Sequence, residues 1–471
     1  MKILLVNPSD RHQVMLPGAA QINFKQHEFA PPLALMCLKS YLAAHGFGDV
    51  AIFNFQTPER PSLEDLAKRL EDYRPELVGI SVMGVFWYDA IQAARVVKET
   101  LPAALVVTGG PHPTLYPRAV LGRPEVDLVV TGEGEKTLLE LVQRLANKAS
   151  LEGVPGLWWK RGAEPIAGPP RPVEPDLDSF PFPDRSDFAP RDYRISANHW
   201  SPSAVIVTSR GCPHACTFCF NQDHLYRTRR ADLIADEVEA CLRMGYRSVD
   251  FYDDNFNQSR KHVDALCREL ARRSITVPWA CRCRVDRVDD ELLAKMAAAG
   301  CRRINFGVES ATDRILKEIR KDITVEQVRK AFRLARNHGI EILGYFIVGF
   351  PGETRAEAQA TVDLALELDP DYFMILPFLP VPGSPLYREA LAAPAFGGDY
   401  ALEYTSNPVP DLAPPMWETT MSSAEILGLV RQANLRFYLR PRFLLRALGQ
   451  VSGIEDFLAK AWMGARLLLS H

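Results

Sequence analysis

The sequence predicts an α/β protein with a doubly wound, Rossmann-like domain, then a partial parallel (βα)6 barrel, then a C-terminal helical region. Three observations support this fold class. Strand-like and helix-like segments alternate through most of the chain, which is typical of parallel sheets. The 471 residues are too many for one ordinary hydrophobic core. A proline-rich stretch near the end of the first third separates two alternating series, so we expect at least two domains.

The first series occupies residues 1–150. Its strand candidates are 1–7, 50–55, 77–82, 104–108 and 126–131, and its helix candidates are 31–45, 62–73 and 88–100. Doubly wound sheets bind ligands outside the carboxyl ends of their strands. The small and polar residues that follow these strands are therefore candidate binding residues.

The proline-rich segment, residues 151–200, is predicted to be an ordered linker. The second series occupies residues 201–400, with strand candidates at 204–209, 248–253, 277–284, 303–308, 341–348 and 372–377. Six βα units are too few for the eight-fold barrel, so the prediction is an open, partial barrel. Residues 401–471 are predicted to form a helical cap.

Composition excludes several classes of protein. The net charge is −3 and no long run carries one sign, so a nucleic-acid partner is not expected. The first residues lack the apolar region of a signal peptide, and no segment is apolar enough to span a bilayer. An odd number of cysteines, nine, fits a reducing cytoplasm better than a disulfide framework. Residues 435–446 are apolar and basic, which allows either a cap on the barrel or weak membrane-surface contact.

Three cysteines, Cys212, Cys216 and Cys219, are crowded into one loop after a predicted strand. Thiolates are the usual ligands of iron–sulfur clusters. Three ligands leave one iron of a four-iron cluster without a protein ligand, and an open coordination position is what a metal needs to bind a substrate. The alternative is a structural zinc site, with His214, Cys281 or Cys283 as the fourth ligand.

The C-x-x-x-C-x-x-C spacing, with Phe218 before the last cysteine, resembles the signature of the radical S-adenosylmethionine (SAM) superfamily. The resemblance implies a partial (βα)6 barrel whose cysteines bind a 4Fe–4S cluster, with SAM at the open iron. It also implies SAM-binding roles for residues at the strand ends. These are Asp253 and Asp254 for the amine, Arg284 for the carboxylate, Glu309 and Ser310 for the ribose or methionine part, and Gly349 by the adenine, with Phe218 beside them.

The first domain resembles the cobalamin-binding domain of cobalamin-dependent radical SAM enzymes. The residues that carry the resemblance follow the predicted strands: Asn7, Pro8, Ser81, Gly109, Gly110, Pro111, His112, Thr114, Gly132 and Glu133. Many cobalamin proteins have an Asp-x-His-x-x-Gly loop whose histidine ligates cobalt. Here Asp10 and His12 are in place but Met15 replaces the glycine, and members of this branch often lack a lower protein ligand. His112, between two prolines, fits a turn-shaping role better. The alternative is a domain of this fold that binds no corrin.

Together the two resemblances imply a cobalamin-dependent methyltransferase. In such an enzyme a methyl group passes from SAM through cobalamin to an unactivated carbon of a small-molecule, lipid-like or tetrapyrrole-like substrate. The resemblance also implies an electron donor such as flavodoxin or ferredoxin. Relatives with the same domains catalyse cyclisation or rearrangement without methylation, which is the second enzymatic hypothesis. A zinc-stabilised scaffold without activity is the third.

Overall fold

The computed structural model describes residues 1–14, 31–193, 200–220 and 225–449. These residues form two compact units. The first contains 1–14, 31–193 and 399–413, and the second contains 200–220, 225–398 and 414–449. The proline-rich segment is thus part of the first unit up to residue 193, and a short segment from the predicted cap also belongs there.

The first unit is built on a seven-stranded sheet with the order β2-β1-β3-β4-β5-β6-β7. The strands are β1 (Ile3–Asn7), β2 (Val50–Asn54), β3 (Leu77–Ser81), β4 (Leu105–Gly109), β5 (Leu128–Val130), β6 (Leu157–Arg161) and β7 (Glu164–Ala167). The helices are α1 (Leu33–Ala44), α2 (Leu63–Tyr73), α3 (Trp87–Thr100), α4 (Pro111–Leu115), α5 (Pro117–Leu121) and α6 (Gly134–Ala146). The first five strands are parallel, and β6 and β7 are added antiparallel.

The order of the five parallel strands makes this unit a doubly wound sheet. Such a sheet reverses its winding between β1 and β3, and ligands bind at that switch point. The strands are nearly continuous apolar runs because both faces of the sheet are covered by helices. The additional strands β6 and β7 come from the segment that was predicted to be a linker. Its prolines lie mostly outside these two strands, where they do not interrupt the hydrogen-bonding ladder.

The second unit contains a six-stranded, all-parallel sheet with the order β8-β11-β12-β13-β14-β15. The strands of this unit are β8 (Ser203–Ile206), β9 (Ser209–Arg210), β10 (Arg227–Thr228), β11 (Ser248–Phe251), β12 (Trp279–Cys283), β13 (Cys301–Glu309), β14 (Glu341–Val348) and β15 (Tyr372–Pro377). The helices are α7 (Ala231–Arg243), α8 (Arg260–Arg272), α9 (Asp290–Ala298), α10 (Asp313–Glu318), α11 (Val325–Asn337), α12 (Arg355–Leu368) and α13 (Pro385–Ala392). After α14 (Tyr400–Ser406), which belongs to the first unit, come α15 (Ser423–Tyr438) and α16 (Pro441–Gly449).

The predicted fold class is confirmed: a doubly wound domain and a partial parallel barrel of six strands. The helix α15 packs against the last barrel strand. The ring of Phe437 stacks on Phe373 with centroids 4.6 Å apart, and the Tyr438 hydroxyl donates a 2.6 Å hydrogen bond to the Phe373 carbonyl. The aromatic residues of the tail therefore cover the barrel edge. None of the described helices has the length and apolarity needed to cross a membrane.

Candidate functional site

The three-cysteine loop begins directly after β9, which pairs antiparallel with β10. The Cys219 amide donates to the Cys216 carbonyl at 3.2 Å, and the Thr217 amide donates to the Ile319 carbonyl at 2.9 Å. The nine cysteines all lie among the described residues, and none of them is in a disulfide. Burial raises the pKa of Cys216, and burial together with the neighbouring Cys216 and Cys212 raises the pKa of Cys219 to about 11. Cys212 and Cys216 therefore lie close enough to oppose the ionisation of the Cys219 thiol.

Asp253 anchors the chain immediately before this loop. Its side chain is buried, and its carboxylate accepts hydrogen bonds from the Thr208 amide (2.7 Å), the Thr208 hydroxyl and the Ser209 hydroxyl (2.7 Å). The Thr208 oxygen also lies 3.0 Å from Nε2 of His262. Burial raises the pKa of Asp253 to about 6, although these hydrogen bonds act in the opposite direction and lower it. Both carboxylate oxygens are therefore used within the protein, whereas the next residue, Asp254, is exposed.

A group of charged side chains gathers at the ends of β12 and β13. Lys321 Nζ donates to Glu309 Oε1 at 2.7 Å, and both side chains are largely buried. Arg284 donates to the Lys321 carbonyl at 2.6 Å and to Asp286 at 2.9 Å. The charges of Lys321 and Arg284 act on the Cys216 thiol and favour its ionised form. Two of the predicted SAM-binding residues, Arg284 and Glu309, thus lie near the cysteine loop.

Lys321 was not among the residues predicted from the sequence. It follows α10 in a run of three charged residues, the basic Arg320 and Lys321 and the acidic Asp322, which is typical of a solvated turn. Only the folded structure shows that this lysine is buried against Glu309. Glu309 has a φ of +70°, a backbone conformation that costs energy for residues other than glycine. The surrounding structure must therefore hold Glu309, and with it the ion pair, in place.

The turn after β14 contains Gly349, and its shape depends on Glu353. Gly349 has a φ of +90°, and a Cβ atom there would lie 2.8 Å from Ile426. The Gly349 and Phe350 amides both donate to Oε2 of Glu353, which is fully buried. Oε1 of Glu353 is buried without a partner among the described residues. The ring of Phe218 meets that of Phe350 edge-on at 5.8 Å, so the cysteine loop packs against this turn.

Glu353 leads to a prediction about pH. Burial raises the pKa of Glu353 from its ordinary value of 4.5 to about 7. Between these two pH values the folded protein therefore holds a proton on Glu353 that the unfolded chain has already lost. Stability therefore falls as pH rises through this window. Glu353→Gln should abolish this pH-dependent loss of stability, which is at most about 3 kcal/mol, because the glutamine side chain does not ionise. The variant keeps a side-chain oxygen that can accept hydrogen bonds from the two amides. Thermal unfolding midpoints at pH 5 and pH 8 test this. An unchanged difference between the two pH values in the variant would contradict the prediction.

Ser310, the last of the predicted residues at the β13 end, is fully buried. Its hydroxyl lies 3.3 Å from the Thr312 hydroxyl and 3.5 Å from that of Thr361. These contacts place Ser310 within the packing of the loop that follows β13. Its predicted contact with SAM remains a prediction, as do the other individual roles.

In the first unit, the residues predicted to bind cobalamin lie at the carboxyl edge of the sheet. Hydrogen bonds join the loops that follow the strands. The His112 amide donates to the Val82 carbonyl (3.2 Å), the Thr114 hydroxyl to the Gly110 carbonyl (2.8 Å), and the Gly132 amide to the Thr114 hydroxyl (3.0 Å). Gly110 has a φ of +103°, and a Cβ there would meet the Val82 carbonyl at 2.8 Å.

The remaining members of this set lie at the same edge. Asn7 donates to Asn54 at 2.7 Å, the Pro8 carbonyl accepts from Gln56 at 2.9 Å, and Glu133 accepts from the Glu174 amide at 3.4 Å. Ser81 and Gly109 end β3 and β4 opposite each other, and Pro111 begins α4. The structure therefore gathers residues from the loops after β1, β3, β4 and β5 along one edge.

His112 is enclosed within this edge. Its ring packs on Trp87 with centroids 4.9 Å apart, and its Nε2 lies 3.2 Å from the Thr405 hydroxyl. Burial lowers its pKa to about 3, so the imidazole is neutral at ordinary pH. The imidazole is therefore enclosed by protein and almost fully buried.

Comparison with known proteins links these two units to known families. Residues 206–365 match the Radical SAM superfamily, and residues 24–142 match the B12 binding domain. An uncharacterized methyltransferase of Pyrococcus horikoshii is 32% identical over 459 residues, which are 96% of each chain. The anaerobic magnesium-protoporphyrin IX monomethyl ester cyclase of Rubrivivax gelatinosus is 28% identical over 94% of this chain and 78% of its own length. The fold is shared with the radical SAM methyltransferase TsrM of Kitasatospora setae, solved with cobalamin and a [4Fe-4S] cluster. The TM-score is 0.69 at 22% identity, over 92% of this chain and 85% of that one.

Proposed function

Because the chain belongs to the cobalamin-dependent radical SAM methyltransferase family, we propose that it transfers a methyl group from SAM to an unactivated carbon of a small-molecule substrate. Its cofactors are a 4Fe–4S cluster, SAM and cobalamin. One observation carries the proposal: a methyltransferase is similar to this chain over nearly its whole length, and both cofactor domains are present in order.

The cysteine loop fits an iron–sulfur cluster. Burial and the neighbouring sulfurs oppose the ionisation of Cys216 and Cys219, so a nearby positive charge is needed to hold these two residues as thiolates. The iron ions of a cluster supply that charge, and thiolate is the ligand they bind. We therefore propose that these three cysteines hold three irons of the cluster.

The charged group near Cys216 fits the polar end of SAM. SAM carries an amine and a carboxylate, which call for an anionic and a cationic partner. Asp254 is exposed beside the buried Asp253, and Arg284 and Lys321 bring positive charge to the neighbourhood of Cys216. We propose that Arg284 binds the carboxylate and Asp254 the amine, and that Glu309 and Ser310 line the ribose or methionine part. Gly349 and Phe218 would lie by the adenine, because the turn and the ring are packed together through Phe350.

The edge of the first unit fits a flat macrocycle. Two small residues, Gly110 and Gly132, lie there with positive φ, and a Cβ at Gly132 would meet nothing within 4 Å. Met83, in the loop after β3, is 55% exposed. An open surface of small residues with one exposed thioether is suited to contact with a corrin, so we propose that this edge binds cobalamin.

When bound, the reduced cluster supplies one electron that cleaves SAM, and cobalamin carries the methyl group. The protein's own contribution is to bind, orient and dehydrate. The Asp253 network fixes the start of the cysteine loop, and Lys321 neutralises the buried Glu309. The rings of Phe218, Phe350 and Phe378 form an apolar wall beside the loop, which keeps water from that side of the site.

A second candidate is ring formation or rearrangement without methylation. The similarity to a cyclase over most of the chain favours it. The turnover experiment described below separates the two candidates by their SAM-derived products.

The zinc-scaffold hypothesis has less support. Each candidate fourth ligand makes its contacts elsewhere: His214 Nε2 lies 2.9 Å from Gln258, and Cys281 and Cys283 are buried in β12 with their sulfurs 3.5 Å apart. Within the described residues, no three His, Cys, Asp or Glu side chains converge tightly enough to hold a single metal ion.

Anaerobic turnover of SAM tests the proposed function. The reconstituted protein is supplied with SAM, hydroxocobalamin and a flavodoxin or ferredoxin reducing system, which we propose as the class of electron donor. Mass spectrometry should detect both S-adenosylhomocysteine and 5′-deoxyadenosine. A sample without reductant is the control for uncatalysed breakdown. If only 5′-deoxyadenosine formed, the non-methylating alternative would replace methyl transfer.

A further inference from the structure

The inner face of the six-stranded barrel sheet is partly open to solvent. Side chains alternate between the two faces of a strand, and those on the outer face are buried under the helices. The ring of Phe306, for example, lies 5.6 Å from that of Phe332 on α11. The interior of a complete barrel is filled by side chains. On the last two strands of this partial barrel, however, four inward side chains are only half-buried: Tyr345, Ile347, Met374 and Leu376.

Polar side chains form the opposite wall of this space, on β11, β12 and β13. Arg282 points inward, because its neighbours Cys281 and Cys283 belong to the buried outer layer. Asn305 is the register partner of Arg282 on β13 and therefore lies on the same face. Oδ1 of Asn305 is buried and has no hydrogen-bond partner among the described residues. This wall thus has hydrogen-bonding capacity that the protein itself does not use.

Arg282 is held in one orientation but keeps two of its donors. The Asp250 carboxylate accepts from Nη1 at 2.9 Å and from Nη2 at 3.3 Å, and the Phe251 carbonyl accepts from Nη1 at 3.4 Å. A guanidinium has five N–H groups. The two that remain, on Nε and on Nη2, have no acceptor within the described part of the chain. They lie side by side on one edge of the guanidinium, and such an edge binds both oxygens of a carboxylate.

Tyr252 presents an aromatic ring beside this arginine. Its backbone amide donates to the Ile206 carbonyl at 2.9 Å, so the strand geometry continues to Tyr252, which points inward as Asp250 does. The guanidinium carbon of Arg282 lies 3.4 Å from the ring centroid. This contact covers one face of the ring, yet Tyr252 is 54% exposed. The other face is therefore open to stacking with the ring of a ligand.

The depth of Arg282 in the barrel separates it from the residues proposed to bind SAM. Arg284, proposed above for the SAM carboxylate, comes two residues later, which places Arg282 about 7 Å further from the carboxyl edge of the sheet. A ligand held at Arg282 would extend along the half-buried Ile347 and Met374 toward that edge. Its body would then approach the SAM site from inside the barrel.

We propose that this space binds the substrate, and that the substrate is a planar aromatic acid. Nε and Nη2 of Arg282 would hold its carboxylate, Tyr252 would stack on its ring, and Asp250 is the positioning residue for the guanidinium. The inference rests on the proposed function, because it names the substrate class of the same enzyme. The carboxylate of SAM is a second possible source of this chemistry, and the experiment separates the two sources.

Equilibrium dialysis of indole-3-propionate against the full-length, cluster-reconstituted protein tests the proposal. Indole-3-propionamide is the uncharged match, and cyclohexanepropionate is the match without a planar ring. The indole acid should bind at least about 10-fold more tightly than the amide and about 2- to 10-fold more tightly than the cyclohexane acid. Saturating SAM should not weaken its binding. Competition by SAM would assign Arg282 to the SAM carboxylate and overturn the proposal.

Two variants assign the roles. Arg282→Lys keeps a positive charge for Asp250 but lacks the two-pronged edge, so it should weaken binding of the indole acid about 10-fold and leave the amide unchanged. Tyr252→Leu changes an exposed side chain, so it should leave the unfolding midpoint unchanged and weaken both indole probes severalfold. Arg329→Lys is the matched control, because Arg329 makes a similar paired contact with Glu367 on the helices and should change nothing.

Equal affinities for the indole acid and the amide, or unchanged binding of the acid in Arg282→Lys, would overturn the proposal. These affinities are measured without turnover, so their failure leaves the proposed methyl transfer intact. A turnover that gave no S-adenosylhomocysteine would instead remove the methyl transfer and leave the binding results unaffected.

Discussion

Replacing Cys212, Cys216 and Cys219 together by alanine is expected to reduce bound iron and sulfide to background and to abolish SAM cleavage. The reason is that the loop offers these three thiols as ligands, and the other candidates, His214, Cys281 and Cys283, make their contacts elsewhere. The rate of 5′-deoxyadenosine formation should fall by more than about a thousandfold, which corresponds to roughly 4 kcal/mol of activation free energy. Iron analysis and product quantification after anaerobic reconstitution measure both effects.

The matched control is Cys37→Ala. Cys37 lies on α1 of the other unit and is half-buried, as Cys212 and Cys216 are in the loop. This variant should keep its full iron content. If the triple variant kept its iron and still cleaved SAM, the cluster assignment and every role built on it would be wrong.

The alternation of strands and helices sufficed to predict the two sheets, because parallel strands covered on both faces are continuous apolar runs. The additional strands β6 and β7 were not predicted, since prolines at 155, 165, 169 and 170 dominate the pattern there. Those two strands are antiparallel additions at a sheet edge, where a few missing amide donors are tolerated. The return of residues 399–413 to the first unit was not predicted either. It depends on contacts such as the hydrogen bond from Trp87 Nε1 to the Thr405 carbonyl, which joins residues 318 positions apart.

The site likewise combines features that are visible in the sequence with contacts that form only on folding. A motif that is local in sequence, such as the cysteine loop or the turn at Gly349, can be recognised by its spacing. Partners that meet only through folding cannot. Lys321 looks like a solvated charge until the fold places Glu309 beside it. The sequence does not show that this charge is buried, and burial decides how much the ion pair matters.

For Asp253, the contacts in the structure and the SAM-amine role implied by the resemblance predict different effects of a substitution. In the structure its carboxylate accepts hydrogen bonds from Thr208 and Ser209, which lie four and three residues before Cys212. Asp253→Ala would leave an amide and two hydroxyls buried without their acceptor. At about 1–3 kcal/mol for each unsatisfied group, partly offset by removal of a buried carboxyl, we expect a loss of roughly 2–5 kcal/mol in the free energy of unfolding. The start of the cysteine loop should loosen, so iron content should fall severalfold.

Thermal unfolding, iron content and the KM for SAM together separate the two roles of Asp253. A residue that only binds the SAM amine would, when replaced by the isosteric Asn, raise KM and leave iron content and the unfolding midpoint unchanged. An anchor of the loop would instead lower the midpoint and the iron content in Asp253→Ala, with a milder effect in Asp253→Asn, which keeps one acceptor oxygen. Asp232→Asn, at a surface carboxylate paired with Arg230 at the start of α7, is the control for loss of one negative charge. We expect the anchor pattern, because an oxygen that already accepts hydrogen bonds from buried protein donors has little capacity left for a ligand's amine.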